Sequence, residues 1–108
     1  MISNAFSKWQ LFALLLIDVQ NDFWKPQLQA AFPEFPNNIS RLLNFCRQEG
    51  LEVIHLREIF EPDGSNWLPR YRLRERAICI RGTSGAEVLE CAREIPGEKV
   101  FEKYTLDG

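Results

Sequence analysis

From Leu11 to Val19 nearly every position is apolar, and the run closes on Asp18 and Val19. It lacks the alternation of a strand with one wet face, which predicts a strand covered on both sides. Gln20 to Pro36 is polar and marked by prolines, and its aromatics Phe23, Trp24, Phe32 and Phe35 predict an ordered loop packed on its neighbours. After Pro36, Asn37 and Asn38 offer caps for an amphipathic helix with apolar residues Ile39, Leu42, Leu43, Phe45 and Cys46 that stops at Gly50. Glu52 to Leu56 follows as a short strand. The order strand, helix, strand predicts a parallel right-handed crossover unit.

Arg57 to Arg81 is long, irregular and rich in arginine, with a turn at Pro62-Asp63-Gly64-Ser65 and Arg70, Arg72, Arg74 and Arg76 close together. Loops of that length in compact domains usually carry function or pack on a partner. With Glu75 interposed, the arginines read as a solvated loop or subunit contact rather than a receptor for an anionic substrate. Thr83 or Ser84 then caps an expected helix with Val88, Leu89, Cys91 and Ala92 on its buried side, ended by Pro96-Gly97. Glu98 to Lys103 alternates as a third strand. No internal repeat or low-complexity tract is present.

Length and composition narrow this picture. The 108 residues, 45% hydrophobic and 12% aromatic, suffice for one compact unit that buries roughly two-thirds of its unfolded surface. Fifteen acids against thirteen bases give a net charge of −2, without the basic excess expected of a nucleic-acid binder. Cys46, Cys79 and Cys91 are odd in number and widely spaced, so neither a disulfide framework nor a zinc knuckle is indicated, and a cytoplasmic setting is expected. The run Leu11 to Ile17 is too short to span a bilayer, and no small-residue cleavage site follows it; no membrane partner is expected. Three parallel strands with one or two helices leave an α/β sheet thin. If the first strand is central, part of its edge requires strands that these residues do not supply, so the chain is expected to be one incomplete domain over residues 1–108, finished by further sequence, a homo-oligomer or a complementing chain.

The candidate chemistry sits at the strand ends. Asp18 closes an apolar strand and runs into Gln20-Asn21-Asp22-Phe23; Val53 to Leu56 leads to Pro62-Asp63-Gly64-Ser65-Asn66-Trp67; Gly82-Thr83-Ser84-Gly85-Ala86-Glu87 precedes Pro96-Gly97-Glu98-Lys99-Val100, and Lys103 precedes Tyr104 to Gly108. In order and spacing this series, from Leu11 onward, resembles the isochorismatase-like cysteine hydrolases, which include nicotinamidases and carbamoyl-amide hydrolases. The resemblance implies a three-layer, Rossmann-like α/β fold with a six-stranded parallel sheet, here truncated after the third strand. It also implies an aspartate, lysine and cysteine triad acting on a small-molecule amide or related C–N bond. Asp18 and Lys103 match the first two members. In such a mechanism the carboxylate takes the thiol proton, the ammonium favours thiolate, and an acyl-enzyme forms and is hydrolysed.

The family's cysteine lies beyond the lysine, past the end of this sequence. Cys46, Cys79 and Cys91 fall where cysteine behaves as a small hydrophobe, so the chain alone is expected to be inactive. Some members of the wider family lack the cysteine and cleave a vinyl ether with the aspartate as acid, which gives a second reading. A third is a non-catalytic remnant or assembly module whose open sheet edge pairs with another chain. Asp18 also suits a turn cap, and Lys103 an edge-strand lysine. Matching loops in the family imply that Phe23 and Trp67 line the substrate pocket. Nicotinamidases carry an Asp-x-His metal set after the second strand, where this chain reads Arg57-Glu58-Ile59-Phe60. The lone His55 lies inside the strand, and neither a metal nor a cofactor is expected.

Overall fold

The computed structural model describes residues 8–105. Strand β1 (Ala13–Ile17), helix α1 (Pro26–Ala31), helix α2 (Phe35–Glu49), strand β2 (Glu52–Glu58), helix α3 (Pro69–Arg74) and strand β3 (Lys99–Lys103) follow in that order. The strands form one parallel sheet in the order β1-β2-β3, with Ile17 opposite Leu56 and Glu58 opposite Lys103. This is the expected α/β architecture. β2 is the central strand, and β1 has an edge with no partner among the described residues.

Helix α2 is long because its apolar positions recur at helical spacing, and Ile39, Leu43 and Cys46 are buried against Leu16 and Val53 of the sheet. Each buried Leu or Ile there contributes roughly 1.5–3 kcal/mol. Its end is as expected: Gly50 adopts φ 82°, and its amide donates to the Cys46 carbonyl. Its start is not. The helix begins at Phe35, with Pro36 in the first turn, so Asn37 and Asn38 lie inside it and cap nothing; Asn37 instead donates its side-chain amide to Glu34.

The expected two-sided cover of the first strand is half met. Leu14 and Leu16 pack toward α2, while Leu15 and Ile17 are 50% and 53% exposed. The register puts Ile54, Leu56 and Phe101 on that same open face, and no helix among the described residues covers it. The segment 83–92 departs further. In place of a helix it forms two single 3₁₀ turns, Ser84–Ala86 and Glu90–Ala92, with extended backbone between them. Tertiary hydrogen bonds override the local helical signal: Asn21 N donates to Glu87 O, Leu89 N donates to Val19 O, and Gln20 bridges Val88 in antiparallel fashion. Within the expected irregular stretch, α3 is a short helix.

On the covered face, His55 is 2% exposed, and its Nε2 lies 2.9 Å from Glu98, which also accepts two hydrogen bonds from Arg47 and one from the Ile95 amide. His55 is thus a satisfied core histidine. The Arg47 guanidinium holds the Glu98 carboxyl down from the ordinary 4.5 to about 2, against the opposing effect of burial. A depressed carboxylate contributes stability above its unfolded value and loses it as pH falls toward its folded one. Urea unfolding should therefore weaken by roughly 1–2 kcal/mol, after allowing for solvent screening, between pH 4.5 and about 2. Glu98→Gln should be less stable at neutral pH and lack that component; an unchanged pH profile would contradict the assignment.

Candidate active site at the strand ends

Asp18 is the first residue past β1, where its amide still donates to Leu56 O and its carbonyl accepts from Gln20 N, both at 2.9 Å. This turn sets Asp18 at φ 59°, in the left-handed region that aspartate tolerates better than most residues. Glu58 and Lys103 are the last residues of β2 and β3 and face each other across the ladder. A parallel sheet brings all its carboxyl ends to one side, the usual place for ligands in such folds, and there the three side chains meet. Lys103 Nζ lies 3.1 and 3.4 Å from the two oxygens of Asp18, 3.2 Å from Glu58 Oε2 and 3.3 Å from Thr105 O. The Lys103 and Glu58 side chains are 7% and 5% exposed, and that of Asp18 is 28% exposed.

Two carboxylates thus share one ammonium. Burial alone would lower the lysine, but its hydrogen bonds to Asp18 and Glu58 outweigh that and hold it above its ordinary value, fully charged at neutral pH. For Glu58 the balance runs the other way: burial raises its carboxyl, and Lys103 only partly offsets the rise. Glu58 Oε1 and Asp18 Oδ1 are buried, and although Oδ1 lies 3.1 Å from the Lys103 ammonium as an ion pair, neither accepts a hydrogen bond in good geometry, so each keeps a lone pair able to accept a proton.

Glu58 was not singled out by sequence reading, which ended the second strand at Leu56. Its signal is an acid on the same strand face as Ile54 and Leu56, at the carboxyl end. The other missed residue is Gln20, 1% exposed. Its Nε2 donates to Glu58 O and Ala86 O, and its Oε1 accepts from Glu58 N. That clamp fixes the Glu58 backbone, as the Ile59 amide fixes that of Lys103 by donating to its carbonyl at 2.8 Å.

A cavity of about 230 Å³ opens beside Asp18, lined by Ile17, Val19, Gln20, Phe23, Trp24, Leu28, Phe32, Phe35 and Leu89. Phe23 is thus beside Asp18 and also packs on the buried cluster around Phe60, whereas Trp67 does not line this cavity. Its indole N–H donates to Glu61 O, and the ring packs in a second apolar cluster around Phe60 and lines a separate cleft with Pro62 to Ser65. Arg70 lies over the Tyr71 ring, and Arg72 donates to the carbonyls of Ser65 and Trp67. The last three residues of the motif, Leu106-Asp107-Gly108, lie outside the described residues.

None of the three thiols is positioned as a nucleophile. Cys46 is buried on the inner face of α2, and Cys91 sits in a 3₁₀ turn. Cys79 is fully buried at φ 50°, with its Sγ directed to Gly85 O. Burial and the carboxylates of Asp22, Asp18 and Glu58 push its thiol up to about 12, so almost no thiolate exists at neutral pH. Among the described residues no group of His, Cys, Asp and Glu gathers as a metal site, and no helix is long and apolar enough to cross a membrane.

Residues 12–108 match the isochorismatase domain family. Among solved structures, an isochorismatase family protein from Desulfovibrio vulgaris is 32% identical at a TM-score of 0.71, over 86% of this chain and 52% of its own. A cysteine hydrolase from Pseudomonas syringae is 24% identical at 0.74, over 89% and 47%. An N-carbamoylsarcosine amidase from Thermoplasma acidophilum is 24% identical at 0.64, over 85% and 51%. The chain spans about half the length of these structures. No curated protein matches it.

Proposed function

Because the chain belongs to the isochorismatase domain family, we propose that it supplies the aspartate and lysine of a hydrolytic site acting on a small-molecule amide or related C–N bond. The observation that carries this reading is the Lys103 ammonium 3.1 Å from Asp18, at the carboxyl ends of the strands and beside an apolar cavity. The amidase among the structures of the same fold supports the bond class.

In this reading Asp18 Oδ1 accepts the proton of a thiol supplied from outside the described residues. Lys103 holds Asp18 in place by their ion pair and stabilises the negative charge that passes to the nucleophile. The thiolate attacks the amide carbonyl, the proton held on Asp18 goes to the leaving nitrogen, and an acyl-enzyme forms. Asp18 then takes a proton from water, whose hydroxide adds to the acyl carbon and expels the sulfur, and returns that proton to the sulfur as the acid leaves. Glu58 holds the far side of the ammonium and keeps it from swinging away from Asp18.

A second reading has Asp18 protonating a vinyl ether without any thiol. It is favoured by the burial and high-lying thiol of Cys79, the cysteine whose proton affinity responds to Asp18 and Lys103. Ammonia release from small amides, before and after iodoacetamide, separates the two. The protein isolated from its natural source, with every chain it carries, should release ammonia and lose at least ~99% of that activity on alkylation, since the thiolate is the nucleophile. The 108-residue chain alone should release none. No ammonia from any amide, together with vinyl-ether cleavage that survives alkylation, would favour the vinyl-ether reading.

A further inference from the structure

Most cations of the molecule have a partner. Arg47, Arg57, Arg81, Arg93, Lys99 and Lys103 each pair with a glutamate. Lys8 and Arg70 lie over aromatic rings, and Arg72 bonds two carbonyls. The side chains of Lys25, Arg41, Arg74 and Arg76 make no hydrogen bond, ion pair or ring contact with any described residue. Of these, Lys25, Arg74 and Arg76 line one cleft of about 360 Å³, and its other walls are Tyr71, Ala77 and Ile78, with no acid among them. We propose that this cleft binds a doubly charged oxyanion, a phosphate ester or a dicarboxylate, at a site separate from the one built on Asp18 and Lys103.

The backbone builds the cleft. Helix α3 ends at Arg74, and Glu75 adopts φ 54°, in the left-handed region usually left to glycine or asparagine. The Arg76 amide then donates to Tyr71 O at 3.0 Å and the Glu75 amide to Arg72 O at 3.2 Å, so the carbonyls at the helix end already accept bonds. This turn sorts the charges. Glu75 and Arg72 line the cleft beside Pro62 to Ser65, while Arg74 and Arg76 join Lys25, the residue that precedes α1. The acid that separates the two arginines in the chain is thus kept out of the hollow they share. Its floor is fixed: the Tyr71 ring stands edge-on to Phe60 at 5.2 Å, and Ile78 precedes Cys79, whose amide is held by Asp22. Three like charges around one hollow repel one another, and a dianion offsets them. Guanidinium forks match the paired oxygens of phosphate or carboxylate, and the ammonium adds a point charge. The lining shares no residue with the cavity beside Asp18, so the proposal does not depend on the hydrolase reading.

Inorganic phosphate and succinate test this in ligand-observed NMR titrations of the protein isolated from its natural source, by phosphorus line broadening for the first and saturation transfer for the second, at constant ionic strength. At least one should bind with a Kd of about 1 mM or tighter, and the tighter of the two tells a phosphate source from a dicarboxylate one. Binding should weaken as salt is raised, since the cations are exposed. Arg74→Ala and Arg76→Ala, both at exposed positions and so expected to fold normally, should each weaken binding about fivefold or more. Arg41→Ala removes a cation that is equally without a partner but lies outside the cleft, and should leave binding unchanged. Failure of both anions to bind, binding unaffected by both cleft substitutions, or an Arg41→Ala loss equal to that of Arg74→Ala would each overturn the proposal, the last by showing that surface charge alone gathers the anion. No turnover is read, so the result stands apart from the fate of the hydrolase reading.

Discussion

Lys103→Met should destabilise the folded chain by roughly 3–5 kcal/mol at neutral pH, because it removes the ammonium that bonds to both carboxylates, which then face each other in a largely buried site. In the intact protein the ammonium bonds to both Asp18 and Glu58, and the Glu58 and Lys103 side chains are 5% and 7% exposed. Methionine fills similar space without charge, so packing loss is small and the effect is electrostatic. Its sign with pH follows from Glu58. That carboxyl already stands above its ordinary 4.5 through burial, and without Lys103 it rises further. A carboxyl raised in the folded state favours folding when protonated, and stability falls as pH climbs past the unfolded value. The destabilisation should therefore shrink between neutral pH and about 4.5. Adding Asp18→Asn and Glu58→Gln to the variant should recover most of it, since no unpaired charge is left. Urea midpoints across this pH range provide the check. A midpoint equal to the parent's at neutral pH would contradict the shared-ammonium geometry.

Gly85→Ala should cost about 2–4 kcal/mol, by a steric route. A Cβ there would fall inside van der Waals contact with all three carboxylate atoms of Asp22. Asp22 cannot simply move aside, because its Oδ2 accepts the Cys79 amide at 2.7 Å, and losing that bond leaves the amide of a fully buried residue unpaired at about 1–3 kcal/mol. Clash and lost bond together give the estimate. Asp22→Ala removes the obstacle, so Gly85→Ala should cost much less in that background, a coupling that a double-mutant cycle reads directly. A change below about 0.5 kcal/mol in the parent background, the ordinary range for surface sites, would show that Asp22 and Gly85 do not pack as described.

These two sites show why part of the molecule was legible in the sequence and part was not. Asp18 and Lys103 could be found because each follows or closes an apolar strand, and because the motif order resembles a known family; the structure brings them to 3.1 Å. α2, β2 and β3 were legible from periodicity and from Gly50. The segment 83–92 was not. Its local pattern is helical, but Val19, Gln20 and Asn21 tie it down from more than sixty positions away, and no local rule contains that information. Glu58 was missed for a similar reason: its meaning depends on register, which places it opposite Lys103. The uncovered face of β1 marks a different limit. A continuous apolar run predicts cover on both sides, and Leu15 and Ile17 satisfy the composition of that rule while only α2 is present to satisfy the packing. Phe23 and Trp67 both pack on the Phe60 cluster, and where each ring sits in that packing is set by contacts such as the Glu61 carbonyl on the Trp67 indole, which no local pattern contains.

The central claim is that Asp18 moves the proton in hydrolysis. Asp18→Asn keeps the size of the side chain and the hydrogen-bonding capacity of one oxygen while removing its basicity. Ammonia release from a panel of small amides should be measured for the protein isolated from its natural source and for this variant in the same assembly. On the best of these substrates the account predicts a fall in kcat of at least ~100-fold, the low end for loss of a positioned acid–base group, with little change in substrate binding. A variant that retains kcat within about threefold would show that the proton is handled elsewhere, and the account of this site would be wrong.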